Sequence, residues 1–159
     1  MRAAVLTVSD GVSRGEREDA SGDLLAELLA ADGYDVERRV VPDERRAVST
    51  ALRELAGEAQ VVLTTGGTGL APRDVTPEAT ADVLERQAPG ISEALRADSA
   101  ARTPHGLLSR GVAGTLGSAL VVNLPGSTGG CRDGYEVLRP ALSHAVGLLT
   151  EKATTHSQT

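Results

Sequence analysis

An α/β domain with a largely parallel sheet, covered by helices on both faces, is the fold that this sequence predicts. Short apolar runs alternate along the chain with amphipathic segments of helical period, which is the order of a parallel sheet with crossover helices. The chain has 159 residues, enough for one domain with a substantial core. Its 40% apolar and 24% charged residues are ordinary for a globular protein. We find neither a repeat nor a linker, and expect one domain over residues 1–152 with a polar tail at 153–159.

The first strand is predicted at "RAAVLTVS", residues 2–9, where an apolar run meets a polar, glycine-containing segment. Ser21 then opens a helix, "SGDLLAELLAADG", that carries its leucines on one face. Asp23 lies in its first turn and Gly33 is a natural end for it. "YDVERRVV", residues 34–41, is the second predicted strand.

The second helix is predicted at "PDERRAVSTALRELAG", with Asp43 placed to cap it. Four of its apolar residues are expected to face inward: Val48, Ala51, Leu52 and Leu55. The third strand is "AQVVLTT", residues 59–65. The helix after it starts at "TPEAT", with Thr76 as its cap and Pro77 at the first helical position.

In the second half, residues 89–103 form a predicted helix. "SRGVAGTLGSALVVNLP" predicts two strands joined by a turn at residues 117–118, hence an antiparallel hairpin at one side of the sheet. Residues 134–153 predict a closing helix that Pro140 would kink.

Composition excludes several classes of function. The only aromatic residues are Tyr34 and Tyr135, and the net charge is −6, so a nucleic-acid partner is not expected. Lys152, close to the C-terminus, is the only lysine, which leaves no P-loop lysine in mid-domain. The single cysteine, Cys131, has no histidine near it in sequence and indicates a buried thiol. Without a long apolar run or a signal peptide, we expect a cytoplasmic protein that does not enter membranes.

The predicted strands end in polar or glycine-rich segments: "SDG" at 9–11, "PDE" at 42–44, "TTGGTG" at 64–69 and "PGST" at 125–128. Ligands of open α/β sheets bind beyond the carboxyl ends of the strands. We therefore expect these four segments to converge on one crevice.

The segment "TTGGTG" is the clearest candidate. Its glycines, Gly66, Gly67 and Gly69, permit positive φ and let a ligand approach main-chain N–H groups, and Thr65 and Thr68 add hydroxyls. A tight strand-to-helix turn is the simpler interpretation. Three glycines followed by an Arg-Asp pair exceed what a turn needs, which favours a phosphate site.

Three aspartates follow strand ends. Asp74 beside a phosphate loop indicates Mg²⁺, and pairing with Arg73 is the alternative. Asp43 is either the helix cap or a metal ligand. Asp10 is similarly ambiguous, and Glu16, Glu18 and Asp19 indicate a solvated acidic loop.

The sequence allows two interpretations for each of two further segments. Ser127 and Thr128 precede a helix, whose N–H groups could hold a phosphate or simply be capped. Arg110 could bind an anionic ligand or a surface carboxylate. The three histidines have no metal-ligand spacing.

Taken together, "TTGGTGLAPRDVTPEAT", "VPDE", "LSRG" and "NLPGST" resemble the MogA/MoaB family of molybdenum-cofactor biosynthesis proteins. The resemblance runs from about Leu6 into the last helix. It implies a three-layer α/β/α fold, a homotrimer, and binding of molybdopterin. It also implies transfer of AMP from Mg-ATP to the terminal phosphate of molybdopterin, with release of pyrophosphate and possible hand-over to a molybdate-insertion protein.

The resemblance also implies roles for residues of this chain. Asp43 and Asp74 match the two aspartates used in catalysis and would hold Mg²⁺. The nucleotide would lie on Thr65, Gly66, Gly67, Thr68 and Gly69. Contacts to the pterin or its phosphate would come from Ser9, Asp10, Ser109, Arg110, Pro125, Gly126 and Ser127.

Two other functions stay open. "LPGSTGGCR" is closer to the MoaB side of the family, which includes proteins that bind without clear activity. A molybdopterin carrier would bind pterin and form no product. An assembly protein with a vestigial site would not bind pterin.

Overall fold

The computed structural model describes the backbone of residues 1–156 and the side chains of residues 1–151. Its last helix extends to His156. Of the predicted tail, 153–159, residues 157–159 and all side chains lie outside what is described. No helix in the described part of the chain is long and apolar enough to cross a membrane.

The strands form one six-stranded sheet in the order β2-β1-β3-β6-β5-β4. The strands are β1 (Arg2–Val8), β2 (Asp35–Val41), β3 (Val61–Thr65), β4 (Arg86–Gln87), β5 (Ala113–Leu116) and β6 (Ala119–Leu124). The first four strands of that order pair in parallel, and β5 is antiparallel to both β6 and β4. The predicted parallel sheet with a lateral hairpin is confirmed.

The helices cover both faces of this sheet. They are α1 (Asp10–Ser13), α2 (Ala20–Ala31), α3 (Arg45–Ala56), α4 (Thr76–Ala81), α5 (Pro89–Arg102) and α6 (Thr128–His156), with a 3₁₀ helix at Pro104–Leu108. Alternate residues of β1 point to opposite faces, as the strand period requires. Val5 packs with α2 and α6, and Leu6 packs with α3 and α4. The result is a three-layer α/β/α domain with a core on each side of the sheet.

The four inward-facing residues predicted for the second helix, now α3, are buried there. Two helix starts differ from prediction. Helix α2 begins before Ser21 and is capped by Asp19, whose carboxylate accepts from the N–H of Gly22. Helix α6 begins at Thr128, and Pro140 lies inside it. The two-residue strand β4 and the one-turn helix α1 were not predicted, because neither is long enough to show a period.

Two predicted helix caps are wrong. The residue at the cap position of α3 is Glu44, not Asp43, and that helix has no side-chain cap bond. Val75 holds the cap position of α4, and Thr76 is its first helical residue. In both cases the polar side chain bonds to another loop, as described below.

The register of the parallel strands brings their carboxyl ends to one edge. Thr7 of β1 is level with Val40 of β2 and Thr65 of β3, and Thr65 is level with Leu124 of β6. The segments that leave these strands therefore meet at the same edge, as expected from sequence.

Candidate functional site

Asp10 and Asp43 bind each other's main chain where β1 and β2 end. The N–H of Asp10 donates to Asp43 Oδ2 at 2.8 Å, and the N–H of Asp43 donates to Asp10 Oδ1 at 3.0 Å. This reciprocal pair fixes the position of both carboxylates. It also explains why Asp43 does not cap α3.

Arg73 completes this acidic corner, the group of Asp10, Asp43 and Arg73. Its Nε and Nη2 donate to Asp10 Oδ2 and Oδ1, both at 2.9 Å. The alternative pairing of Arg73 with its neighbour Asp74 is therefore wrong.

The glycine loop, residues 66–69, leaves β3 with two residues in the left-handed region. Gly66 has φ 98° and Gly67 has φ 69°. Thr76 fastens the loop, since its hydroxyl donates to the carbonyl of Gly66 at 2.9 Å and its N–H donates to that of Gly67 at 3.1 Å. Thr76 thus anchors the loop to the start of α4 and does not cap the helix.

Asp43 and Asp74 flank the glycine loop. A methyl group on Gly67 would lie 3.2 Å from Asp43 Oδ1, and one on Gly69 would lie 3.0 Å from Asp74 Oδ2. Asp74 Oδ2 also accepts from the N–H of Ala71 at 3.0 Å. Both carboxylates therefore lie close to the backbone of the glycine loop.

Arg110 buttresses the same loop. Its Nε donates to the carbonyl of Gly69 at 2.8 Å, its Nη2 to that of Asp74 at 3.0 Å, and its Nη1 to Glu78 at 2.6 Å. Of the two interpretations that the sequence left open, the structure shows the carboxylate partner. These bonds give Arg110 a role in holding the loop, and contact with a substrate phosphate stays a prediction.

A cavity of about 670 Å³ opens beside the glycine loop. Of the residues that sequence analysis named, it is lined by Gly67, Thr68, Gly69, Asp74, Ser109, Pro125, Gly126 and Ser127. Those that do not line it are Ser9, Asp10, Asp43, Thr65, Gly66 and Arg110. The site thus has two parts, the cavity and the acidic corner, which meet at the glycine loop.

Several predicted residues that do not line the cavity have structural contacts. The hydroxyl of Ser9 accepts from the N–H of Val12 and caps α1. Thr65 is 1% exposed, and its hydroxyl donates to the carbonyl of Pro125 at 2.8 Å. Cys131 is buried beside them, and burial raises the pKa of its thiol to about 11, so it is a poor nucleophile.

Ser127 and Gly126 shape the loop between β6 and α6. Ser127 Oγ accepts from the N–H of Gly130 at 3.1 Å, as a cap of α6 does. A methyl group on Gly126 would lie 3.4 Å from the Cα of Gly66, so the two loops pack closely.

Sequence analysis missed the far wall of the cavity, which comes from α5 and the 3₁₀ helix. Arg96, Ser99, Arg102 and His105 line it. The spacing of Arg96, Ser99 and Arg102 along α5 is that of any amphipathic helix, and so gives no separate signal.

Asn123 was also missed, although a polar residue inside the apolar run "ALVVNL" was a usable signal. It lines the cavity and is 5% exposed. Its Nδ2 donates to the hydroxyls of Thr64 and Thr80, both at 3.0 Å, and its Oδ1 accepts from the N–H of Val112 at 3.1 Å. Asn123 therefore ties the segment after Arg110 to the centre of the sheet.

The acidic corner separates the pKa values of its two carboxyls. Burial raises the pKa of Asp43, and the charges of Asp10 and Asp74 raise it further, against the N–H of Asp10 and the charge of Arg73. The hydrogen bonds from Arg73 lower the pKa of Asp10. Asp43 is the carboxyl whose negative charge is least compensated.

A divalent cation suits this arrangement only together with a ligand. Within residues 1–151, no group of three or more His, Cys, Asp or Glu side chains could hold a metal ion alone. Mg²⁺ is typically bound by one or two carboxylates, water and substrate phosphates. Asp43 and Asp74, which both lie close to the glycine loop, fit binding of Mg²⁺ by two carboxylates together with water and a substrate phosphate.

We expect the two carboxyls of the acidic corner to titrate in a fixed order. In a carboxyl ¹³C NMR titration of the metal-free protein, falling pH should protonate Asp43 first, at a pH above the ordinary aspartate value. Asp10 should remain ionised below that value, because Arg73 favours its charged form. Arg73→Ala should raise the midpoint of Asp10. The reverse order would contradict this geometry.

Comparison with known proteins supports the family resemblance that the sequence motifs indicated. Residues 4–144 match the family described as the probable molybdopterin binding domain. A crystal structure of the molybdopterin biosynthesis enzyme MoaB from Thermus thermophilus superposes with a TM-score of 0.88 at 45% identity, covering 94% of this chain and 96% of that one.

Among curated relatives, a molybdopterin adenylyltransferase of Helicobacter pylori is 38% identical over 150 residues, which are 91% of this chain and 85% of the relative. The molybdenum cofactor synthesis protein cinnamon of Drosophila melanogaster is 40% identical over 149 residues. The chain covers only 25% of that protein's length, so it is similar to one part of a larger protein.

Proposed function

Because this chain belongs to the family of probable molybdopterin binding domains, we propose that it transfers AMP from ATP to the terminal phosphate of molybdopterin. An oxygen of that phosphate would attack the α-phosphorus of ATP. The bond from the α-phosphorus to the bridging oxygen would break, and pyrophosphate would leave with the electron pair. The observation that carries the proposal is the meeting of a cavity and an acidic corner at one glycine loop.

The cavity supports the pterin half of this proposal. Its volume of about 670 Å³ is within the range of small-molecule sites. It has polar groups from α5 and from the loop after β6, and its near wall is the glycine loop. Molybdopterin held there would direct its phosphate toward Gly67 and Asp74.

The acidic corner supports the nucleotide half. The backbone of Gly67 lies close to Asp43, since a methyl group there would lie 3.2 Å from Asp43 Oδ1 and 2.3 Å from Thr76 Oγ1. A triphosphate there would need its charge neutralised against two carboxylates. Mg²⁺ held by Asp43 and Asp74 would supply that neutralisation and polarise the phosphate under attack.

The chemistry asks for no side-chain base. A phosphate monoester has its second pKa near 6, so the nucleophile is already mostly ionised at neutral pH. What the protein must supply is alignment of two anions and compensation of their charge. The homotrimer, the cytoplasmic location and the hand-over to a molybdate-insertion protein stay predictions.

The direct test is incubation of the purified protein with molybdopterin and Mg-ATP, followed by assay of adenylylated pterin and pyrophosphate. We expect both products in equal amounts, and neither when EDTA is present. Bound molybdopterin without product would show a carrier. Absence of pterin binding would contradict the proposal altogether.

A further inference from the structure

Arg73 holds Asp10 in a geometry that suits a phosphate equally well. Two parallel N–H donors of its guanidinium meet two carboxylate oxygens at 2.9 Å. Arginine binds phosphate oxygens through the same fork of donors. The Arg73 side chain is 58% exposed and that of Asp10 22%, so the ion pair lies at the surface and contributes little to stability.

The place of Arg73 matters as much as its geometry. It precedes Asp74 in the chain, and its partner Asp10 is bonded to the main chain of Asp43. Its positive charge acts on Asp43 as well as on Asp10. The guanidinium therefore lies close enough to Asp43, one of the two carboxylates beside the glycine loop, for its charge to act on that carboxylate.

The other arginines near the loop and cavity are bound differently. Arg110 donates to two carbonyls and Glu78, and Arg96 donates to the carbonyl of Gly111. Arg102 pairs with Asp98 and Asp133 on the far wall. Arg73 differs in that its bonds go to one partly exposed carboxylate and to no main-chain group. It can leave that carboxylate without loosening the loop.

We propose that Arg73 binds the triphosphate of the nucleotide, and that its ion pair with Asp10 is the position it holds while the nucleotide is absent. This rests on the proposed function only in that a nucleotide occupies the glycine loop. The triphosphate offers oxygens of higher charge than one carboxylate, so the guanidinium transfers from Asp10 to phosphate. Asp10 is then a holding partner for Arg73, and Arg73 adds the positive charge that two aspartates beside a polyphosphate lack.

The test is direct binding of Mg-ATP by calorimetry, which needs no pterin and no turnover. Arg73→Ala should weaken Mg-ATP binding by about 10- to 100-fold, as expected for loss of charge-assisted hydrogen bonds. It should leave molybdopterin affinity unchanged.

Arg139→Ala is the matched control. Arg139 also pairs with an aspartate, Asp32, with side-chain exposures of 62% and 20%, and Asp32 precedes β2 at the opposite edge of the sheet. This variant should bind Mg-ATP as the unmodified protein does.

Asp10→Asn separates a phosphate contact from a merely structural role. Asparagine keeps the acceptor for the N–H of Asp43 but lacks the charge and the second acceptor oxygen that hold Arg73, so Mg-ATP should bind at least as tightly. If Arg73 served only to position Asp10 and Asp43, Asp10→Asn and Arg73→Ala would weaken binding alike, and the proposal would be overturned. Unchanged binding by Arg73→Ala would overturn it too.

The two proposals fail in different ways. A protein that binds Mg-ATP through Arg73 yet forms no adenylylated pterin contradicts the transferase and keeps the role of Arg73. If the protein forms the product while Arg73→Ala binds Mg-ATP normally, the transferase is kept and the role of Arg73 is contradicted. No binding of Mg-ATP by the unmodified protein would contradict both.

Discussion

Replacing Asp74 with alanine is expected to lower the rate of AMP transfer by about 10²–10³-fold, with molybdopterin binding largely kept. The reason is that Asp74 and Asp43 flank the loop on which the triphosphate would lie, and in the proposed site both carboxylates are needed to hold Mg²⁺ against it. The measurement is pyrophosphate release at saturating Mg-ATP and molybdopterin.

Alanine alone does not separate charge from loop shape, because Asp74 Oδ2 also accepts from the N–H of Ala71. Asp74→Asn keeps that acceptor and removes the charge. We expect it to be nearly as slow as Asp74→Ala. Asp35→Asn, an exposed change at the start of β2, is the control for lost negative charge and should turn over normally. Normal turnover by Asp74→Asn would remove Asp74 from the metal site.

The fold was readable from sequence because its signals are local. "RAAVLTVS" and "AQVVLTT" are apolar runs buried on both sides, and the helices between them show a clear period. The hairpin was found from its Gly117 turn. Strand β4 was missed because its two residues are both exposed and owe their strand geometry to pairing with β5.

The candidate site was readable only in part. The strand ends located Asp10, Asp43 and the glycine loop, since a parallel sheet places these ends together. The side-chain partners of these residues could not be predicted from the sequence. Arg73 pairs with Asp10, 63 positions away in the sequence, and that pairing depends on how two loops fold together.

The two wrong caps have one physical cause. Asp43 and Thr76 are residue types that favour the helix N-cap position, but in this structure each side chain makes a hydrogen bond to another loop of the site instead. The carboxylate of Asp43 accepts from the N–H of Asp10, and the hydroxyl of Thr76 donates to the carbonyl of Gly66. Functional sites are where local preference and final structure are expected to disagree.

Replacing Gly67 with alanine is expected to abolish most activity, by about 10²-fold or more, because small displacements of reacting groups have effects of that size. The new methyl group would lie 2.3 Å from Thr76 Oγ1 and 3.2 Å from Asp43 Oδ1. The hydroxyl that fastens the loop and the carboxylate proposed to hold Mg²⁺ would both have to move. Mg-ATP binding should be lost together with turnover.

Gly117→Ala is the control that isolates this effect. Gly117 has φ 59°, close to the 69° of Gly67, so both variants carry a similar cost for a left-handed alanine, about 1–2 kcal/mol. A methyl group on Gly117 would meet no atom within 4 Å. Urea unfolding should therefore show some loss of stability in both variants, while pyrophosphate release is lost only in Gly67→Ala. If Gly67→Ala kept its activity, the glycine loop would be a turn and not a nucleotide site.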